Sequence, residues 1–162
     1  MGVAGCGKSS LGAALAGAEG LPLIEGDDHH SPASREKMRQ GIALTDADRD
    51  GWLATLGQLL QARPQGAVLT CSALKRVYRD RLRSACPGLR FVFLEIDRAS
   101  AGLRVAARAG THFFSSSLVD SQFATLEPPV GEPGVLRLDA LAPLSTLQQQ
   151  ASAWLAASQE SA

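Results

Sequence analysis

Lysine is nearly missing from this sequence: Lys8, Lys37 and Lys75 stand against 13 arginines. Net charge is missing too, because 16 basic residues cancel 16 acidic ones. A neutral chain has no electrostatic footprint for holding DNA or RNA without regard to sequence. No apolar run approaches the roughly 20 residues that a membrane-spanning helix needs. Cysteine is sparse and odd in number, Cys6, Cys71 and Cys86, with no CxxC spacing, which argues against a disulfide framework or a structural zinc site. Reduced thiols and the absence of a secretory signal ahead of the first motif, which begins at residue 2, make the cytoplasm the expected address. No internal repeat or long linker interrupts the 162 residues, so a single domain over 1–162 is expected.

What is present alternates. Short runs rich in β-branched and aromatic residues at 21–25, 67–71, 91–96 and 135–138 read as strands. Helical patterns at 9–18, 48–63, 75–84, 99–109, 116–125 and 144–157 separate them; the second places Trp52, Leu53, Leu56, Leu59 and Leu60 on one face. Strands alternating with helices predict an α/β fold in three layers. Its parallel sheet is covered on both faces, with ligands at the carboxyl ends of the strands. The stretch Glu127 to Gly134, EPPVGEPG, reads as a surface loop.

The strongest motif is Gly2-Val3-Ala4-Gly5-Cys6-Gly7-Lys8-Ser9, which matches G-x-x-x-x-G-K-[ST] in full and runs, with Ser10, straight into a helical pattern. Glycines let consecutive backbone N–H groups turn inward on a phosphate, and the helix behind adds the positive end of its dipole. Lys8 reaches the β- and γ-phosphates of a nucleotide, and the Ser9 hydroxyl is placed for Mg²⁺. Residues 2–10 are therefore the expected nucleotide site. A phosphate loop normally follows a buried strand, and here only Met1 precedes it. The expectation is a sheet whose first strand is missing, with in-frame coding sequence upstream for about 8–12 residues including an apolar strand.

A phosphate loop establishes nucleotide binding and no more. The sequence has no NKxD guanine motif and is too short for a helicase or transporter motor, which leaves a small phosphotransferase. The second segment ends in Gly26-Asp27-Asp28-His29-His30. A carboxylate there, Asp27 or Asp28, can accept a hydroxyl proton or hold the Mg²⁺ shell through water. An acidic helix-capping turn is the plainer alternative. Adjacent His29 and His30 point apart and have no further ligand set, so a metal centre is not expected.

The run from Gly26 to Leu53 resembles the gluconokinase pattern GD-x-x-H, KM-x-x-G-x-x-L-x-D-x-D-R and WL. It matches at Gly26, Asp27, His30, Lys37, Met38, Gly41, Leu44, Asp46, Asp48, Arg49, Trp52 and Leu53. The string Cys71-Ser72-Ala73-Leu74-Lys75, then Tyr78-Arg79-Asp80 and Leu82-Arg83, is more specific still, and Gln122 to Pro128 (QFATLEP) matches a further family segment. The resemblance covers essentially the whole chain. It implies a nucleoside-monophosphate-kinase-like or shikimate-kinase-like domain that makes 6-phosphogluconate from D-gluconate with ATP and Mg²⁺, working as a homodimer. It implies that Asp27 is the acceptor-hydroxyl contact and base, and that His30, Arg49 and Lys75 bind the acceptor. Without the motif, Arg49 would read as a surface partner of Asp46 or Asp48 and Lys75 as a solvated lysine.

Arg104 and Arg108 lie four apart, on one helix face, and open a lid expected over about 104–118. Arginines delivered by a closing lid would meet the charge that builds up in phosphoryl transfer. The family lid reads R-x-x-x-R-x-G-H-F; here Thr111 intrudes between Gly110 and His112, and Ala109 stands where lysine is common. Two alternatives remain open. A shikimate-kinase-like enzyme would carry a glycine-rich cluster where this chain has CSALK. A nucleotide-binding regulatory module without turnover would have no need of Asp27, Lys75 and the lid arginines.

Overall fold

The computed structural model describes residues 1–108 and 116–157. In chain order the elements are α1 (Lys8–Glu19), β1 (Leu23–Glu25), a 3-10 turn (Gly26–His29), α2 (Pro32–Arg39), α3 (Asp46–Gln61), β2 (Val68–Thr70), α4 (Arg76–Ala85), β3 (Phe91–Glu95), α5 (Arg98–Ala107), α6 (Ser116–Thr125), β4 (Val135–Asp139) and α7 (Leu144–Ala157). All four strands and six of the helices fall where the sequence places them. The 3-10 turn and α2 do not: the polar residues of 26–39 carry no apolar period. Local capping builds α2 instead, with the Ser31 hydroxyl accepting from the Ser34 amide and Pro32 in the first helical turn. Helix α3 starts on a full capping box, in which Thr45 and Asp48 satisfy each other's backbone amides.

The strands form two parallel pairs. β1 pairs with β2 from Leu23 opposite Val68 to Glu25 opposite Thr70, and β3 pairs with β4 from Phe91 opposite Val135 to Glu95 opposite Asp139. Helices cover both faces. On one, Leu11 and Leu15 of α1, Leu94, Val105 and Leu147 of α7 make one apolar cluster. On the other, Trp52, Leu53 and Leu56 of α3, Tyr78 and Leu82 of α4, and Phe91 make a second. This is the expected three-layer arrangement, but β2 and β3 are not paired with each other. The first two residues bridge them: the Met1 amino group donates to the Val92 carbonyl (2.6 Å), the Leu94 amide to the Met1 carbonyl (3.0 Å), and the Gly2 amide to the Ser72 carbonyl (3.2 Å).

The loop after β2 is held by a buried cation. Arg79 has no exposed surface, and its guanidinium donates to the carbonyls of Ala73 (2.9 Å), Leu74 (3.0 Å) and Glu127 (3.0 Å). It also pairs with the Glu132 carboxylate, which Arg83 contacts as well at 3.0 Å. Arg79 is the first cause of the lowered Glu132 pKa. Ala73 sits in the left-handed region at φ 44°, a strained conformation for a residue with a Cβ, and the Arg79 clamp on its carbonyl helps hold it there.

Replacing Arg79 by leucine strips three carbonyls of a donor and leaves the buried Glu132 carboxylate with Arg83 alone. Urea unfolding of Arg79→Leu is expected to show a loss of about 3–5 kcal/mol, and Arg79→Leu combined with Glu132→Leu should recover part of it. A single variant as stable as the parent would show that the clamp is dispensable.

Candidate active site

The phosphate loop ends where α1 begins, and the junction is shaped for an anion. Gly7 takes φ 98°, a left-handed conformation that glycine alone adopts without strain. No side chain caps the start of α1, and its first turn holds no acidic residue. The positive end of that helix is left to an external acceptor, which is the condition for binding phosphate. Lys8 folds over the loop with Nζ donating to the Val3 carbonyl at 3.0 Å. Ser9 Oγ donates to a Glu25 carboxylate oxygen at 3.1 Å, and the Thr70 hydroxyl donates to the same oxygen.

A cavity of about 160 Å³ opens beside this junction. The loop side contributes Ala4, Gly5, Gly7, Lys8 and Ser9; the facing side contributes Asp27, His30, Met38, Leu44 and Arg49. Arg108, at the carboxyl end of α5, and Ser121 and Gln122 of α6 close a third side. The geometry that delivers Asp27 and His30 is tight. A Cβ at Gly26 would stand 2.4 Å from the Thr70 carbonyl oxygen, so only glycine lets the end of β1 lie against β2. The Gly26 carbonyl in turn accepts from the Trp52 indole at 2.8 Å.

His30 is 8% exposed and stacks on Trp52, ring centroids 4.3 Å apart at 15°. Its Nε2 lies 3.8 Å from the Asp27 carboxylate. Its Nδ1 is buried with no hydrogen-bond partner among the described residues. Burial pushes the His30 pKa below its usual 6.5; Asp27 opposes the shift, while Arg49 and Arg35 reinforce it. The imidazole is therefore neutral at neutral pH and has a hydrogen-bonding nitrogen to offer a ligand. Arg49 donates to the Leu44 carbonyl and lies over the Tyr78 ring at 5.6 Å. It is thus turned toward the cavity, not paired on the surface with Asp46 or Asp48. Asp48 pairs with Lys37 at 2.7 Å, and that contact first, then Thr45, lowers its pKa to about 2.

Other expected residues stand apart from the cavity. Lys75 does not line it: its ammonium pairs with Asp46 at 2.8 Å, where the Tyr78 hydroxyl also donates. That hydrogen bond is the first cause of the raised Lys75 pKa and of the lowered Asp46 pKa. Arg104 sits behind the phosphate loop and donates to the carbonyls of Gly5 (3.4 Å) and Ala140 (3.1 Å). Of the segment expected as a lid, residues 109–115, with Ala109, Thr111 and His112, lie outside the described residues. Gly2, Val3, Cys6 and Ser10 build the loop and helix without lining the cavity.

Two residues were not singled out in the sequence. Glu25 had a usable signal, a carboxylate at a strand's carboxyl end two places before Asp27. Gln122 had none beyond its place in the QFATLEP string; its side-chain oxygen accepts from the Ala4 amide at 2.6 Å and ties α6 to the phosphate loop. Among the described residues no group of three histidine, cysteine or acidic side chains could hold a metal unaided. Ser9, hydrogen-bonded to Glu25, offers a hydroxyl of the kind that joins the shell of a nucleotide-bound divalent ion.

No family model matches the chain. Among curated proteins, the gluconokinase of Gluconobacter oxydans is 44% identical over 141 residues, spanning 85% of this chain and 79% of the relative. The thermosensitive gluconokinase of Escherichia coli is 36% identical over 154 residues, spanning 93% and 82%. Among solved structures, a gluconokinase from Sinorhizobium meliloti superposes with a TM-score of 0.90 at 48% identity, over 99% of this chain and 91% of its own. The APS kinase of Mycobacterium tuberculosis, at TM-score 0.65 and 21% identity, shares the fold.

The neutral state of His30 sets a pH dependence. The unfolded chain takes up a proton near pH 6.5, the folded chain only at lower pH. The stability due to neutral His30 is therefore complete above that value and declines as pH falls below it. Denaturant unfolding at about pH 7.5 and about pH 5.5 should show a smaller acid-side loss for His30→Gln than for the parent. Equal losses would mean that His30 titrates alike in both states.

Proposed function

The chain belongs to the gluconokinase family, and from that premise we propose that it transfers the γ-phosphoryl group of ATP to D-gluconate, giving 6-phospho-D-gluconate and ADP. One observation carries the reading: the phosphate-loop residues Lys8 and Ser9 and the acceptor-side residues Asp27, His30 and Arg49 face each other across a single cavity.

The roles follow from the chemistry at each wall. The uncapped start of α1 and Lys8 bind the anionic phosphates, and Lys8 offsets the charge that develops as the terminal group moves. Mg²⁺ bound with the nucleotide would be held by Ser9, whose hydroxyl proton is taken up in a hydrogen bond to Glu25, and would supply further charge neutralisation. Asp27 accepts the proton of the attacking hydroxyl. Arg49 binds the gluconate carboxylate, the one anionic group of that acceptor. The unpartnered Nδ1 of His30 pairs with one of its hydroxyls. Arg108 adds positive charge on the lid side of the cavity. Arg104 acts one step back, fixing the phosphate loop by its carbonyl contacts. Lys75 fixes the CSALK loop against the start of α3 through Asp46. A cytoplasmic homodimer completes the reading, and sedimentation gives the mass that checks it.

The deciding experiment is a coupled ADP-release assay with ATP and gluconate, shikimate or AMP in parallel. Turnover with gluconate alone is expected. Turnover with shikimate would favour the shikimate-kinase-like alternative, and tight ATP binding without any turnover the regulatory one. In the same assay Lys8→Ala should lower kcat by about 10²–10³-fold. Asp27→Asn should lower kcat by about 10²–10⁴-fold while leaving the ATP Kd within a factor of about two. If Asp27→Asn instead abolished nucleotide binding alone, the division between nucleotide and acceptor walls would be wrong.

A further inference from the structure

One amide of the phosphate loop is answered by a side chain from far along the sequence. Gln122 of α6 accepts from the Ala4 amide through Oε1 at 2.6 Å, and among the described residues no other side chain accepts from an amide of residues 2–9. A backbone N–H can only donate, so it fixes which end of the carboxamide it meets. The oxygen is engaged at Ala4, and the nitrogen, Nε2, is left over. Nε2 has no hydrogen-bond partner among the described residues, and Gln122 lines the active cavity together with Lys8 and Arg108.

The arm that carries this donor is fixed. Leu118, Ser121 and Gln122 share the face of α6 that meets the cavity, at helical spacing. Leu118 and Val119 are buried, and Phe123 and Leu126 pack against the apolar cluster that includes α1. The chain leaving α6 is fastened as well: the Glu127 amide donates to the Leu74 carbonyl (2.9 Å), and the Glu127 carboxylate accepts from the Arg76 amide (2.6 Å). On the next residue of the loop, Arg104 of α5 holds the Gly5 carbonyl. Ala4 and Gly5 are thus gripped from two helices, just ahead of the junction where α1 offers its uncapped end to an anion.

Given the ATP-dependent transfer proposed above, we propose that Gln122 is a further catalytic residue: Oε1 holds the phosphate loop at Ala4, and Nε2 donates a hydrogen bond to an oxygen of the nucleotide's terminal phosphoryl group. In that transfer the acceptor oxygen forms a bond to the γ-phosphorus. The bond from phosphorus to the β,γ-bridging oxygen breaks and leaves its electron pair on ADP, while the acceptor proton goes to Asp27. The other oxygens on the moving phosphorus carry negative charge throughout, and a preorganised donor aimed at one of them stabilises the transition state. ADP lacks that group, so a contact made there favours ATP and is absent from the departing nucleotide.

The test uses Gln122→Glu and Gln122→Met. The first keeps an oxygen for the Ala4 amide but has no donor; the second loses both and adds no charge. Both are titrated, beside the parent, with the β,γ-imido analogue of ATP and with ADP, each with Mg²⁺. In both variants the Kd of the analogue should rise about tenfold or more and that of ADP stay within a factor of about two. Their kcat with gluconate should fall about 10²-fold. A loss in Gln122→Met alone would make Gln122 a tie and nothing more, and a loss in Gln122→Glu alone would be charge repulsion; either result overturns the donor role. So would equal weakening of both nucleotides, or a raised KM for gluconate with the nucleotide constants unchanged. Matching unfolding temperatures show that α6 is seated in every variant, and Gln122→Leu replaces a methionine variant that fails that check. The titration needs no acceptor. A parent without gluconate turnover would sink the function proposed above and leave the ATP–ADP contrast standing, whereas unchanged Kd and kcat in both variants would sink the role of Gln122 alone.

Discussion

Two residues of backbone hold the halves of this sheet in relation to each other. Met1 bonds to β3 and Gly2 to Ser72, just beyond β2, and among the described residues β2 and β3 are not paired directly. The phosphate loop begins at Gly2, so the nucleotide wall is fixed to both halves by the same three hydrogen bonds. Asp27 and His30 descend from β1, which is paired to β2; Arg108 ends α5, which follows β3. The width of the active cavity is thus set by how β2 and β3 are spaced. The helices reinforce that spacing, since α1 packs on β1, β2 and α7 together. Gln122 and Arg104 add to it through the Ala4 amide and the Gly5 carbonyl.

The polar interior is distributed so that the active cavity keeps the groups with something left to offer. Away from it, cations are spent on fixed partners: Arg79 on three carbonyls and Glu132, Lys75 on Asp46, Arg104 on Gly5 and Ala140. Beside it, the start of α1 has no side-chain cap and His30 has a buried nitrogen without a partner among the described residues. Unsatisfied polar groups cost stability unless a ligand completes them. Both sit on the cavity wall, on opposite sides, one suited to an anion and the other to a hydroxyl.

How much of this was legible in the sequence depended on how each feature is encoded. Gly7, Lys8 and Ser9 are encoded locally, because a loop that wraps an anion needs glycine torsions and a following helix within eight residues. The α3 face is encoded by period, and Trp52, Leu53, Leu56 and Leu60 are buried as their spacing requires. Helix α2 was not legible, because only Ser31 and Pro32 announce it. Arg104 and Arg108 show the limit of helical spacing: four residues apart, they share a face, yet only Arg108 reaches the cavity, since Arg104 meets the back of the phosphate loop. Arg49 and Lys75 could not be told apart by type or by motif. Both lie over the Tyr78 ring, at 5.6 and 5.7 Å, and Asp46 decides between them by pairing with Lys75 while Arg49 lines the cavity, an arrangement that exists only once α3 and α4 pack.

The strain at Ala73 belongs to the same logic. A non-glycine residue at φ 44° costs free energy in any context. Here it is fully buried, so its methyl group contributes to the apolar cluster beneath α3 and α4. Glycine would relax the torsion but loosen the turn that presents Ser72 to the cavity and to the Gly2 amide at once. Arg79 supplies the restraint from behind, through the carbonyls of Ala73 and Leu74. A buried guanidinium with all its partners inside the protein is poorly suited to catalysis and well suited to this task, because its planar fork fixes several acceptors in one geometry. The stability held in that network keeps a strained turn in place, and the turn joins the sheet, the phosphate loop and the acceptor wall at a single residue, Ser72.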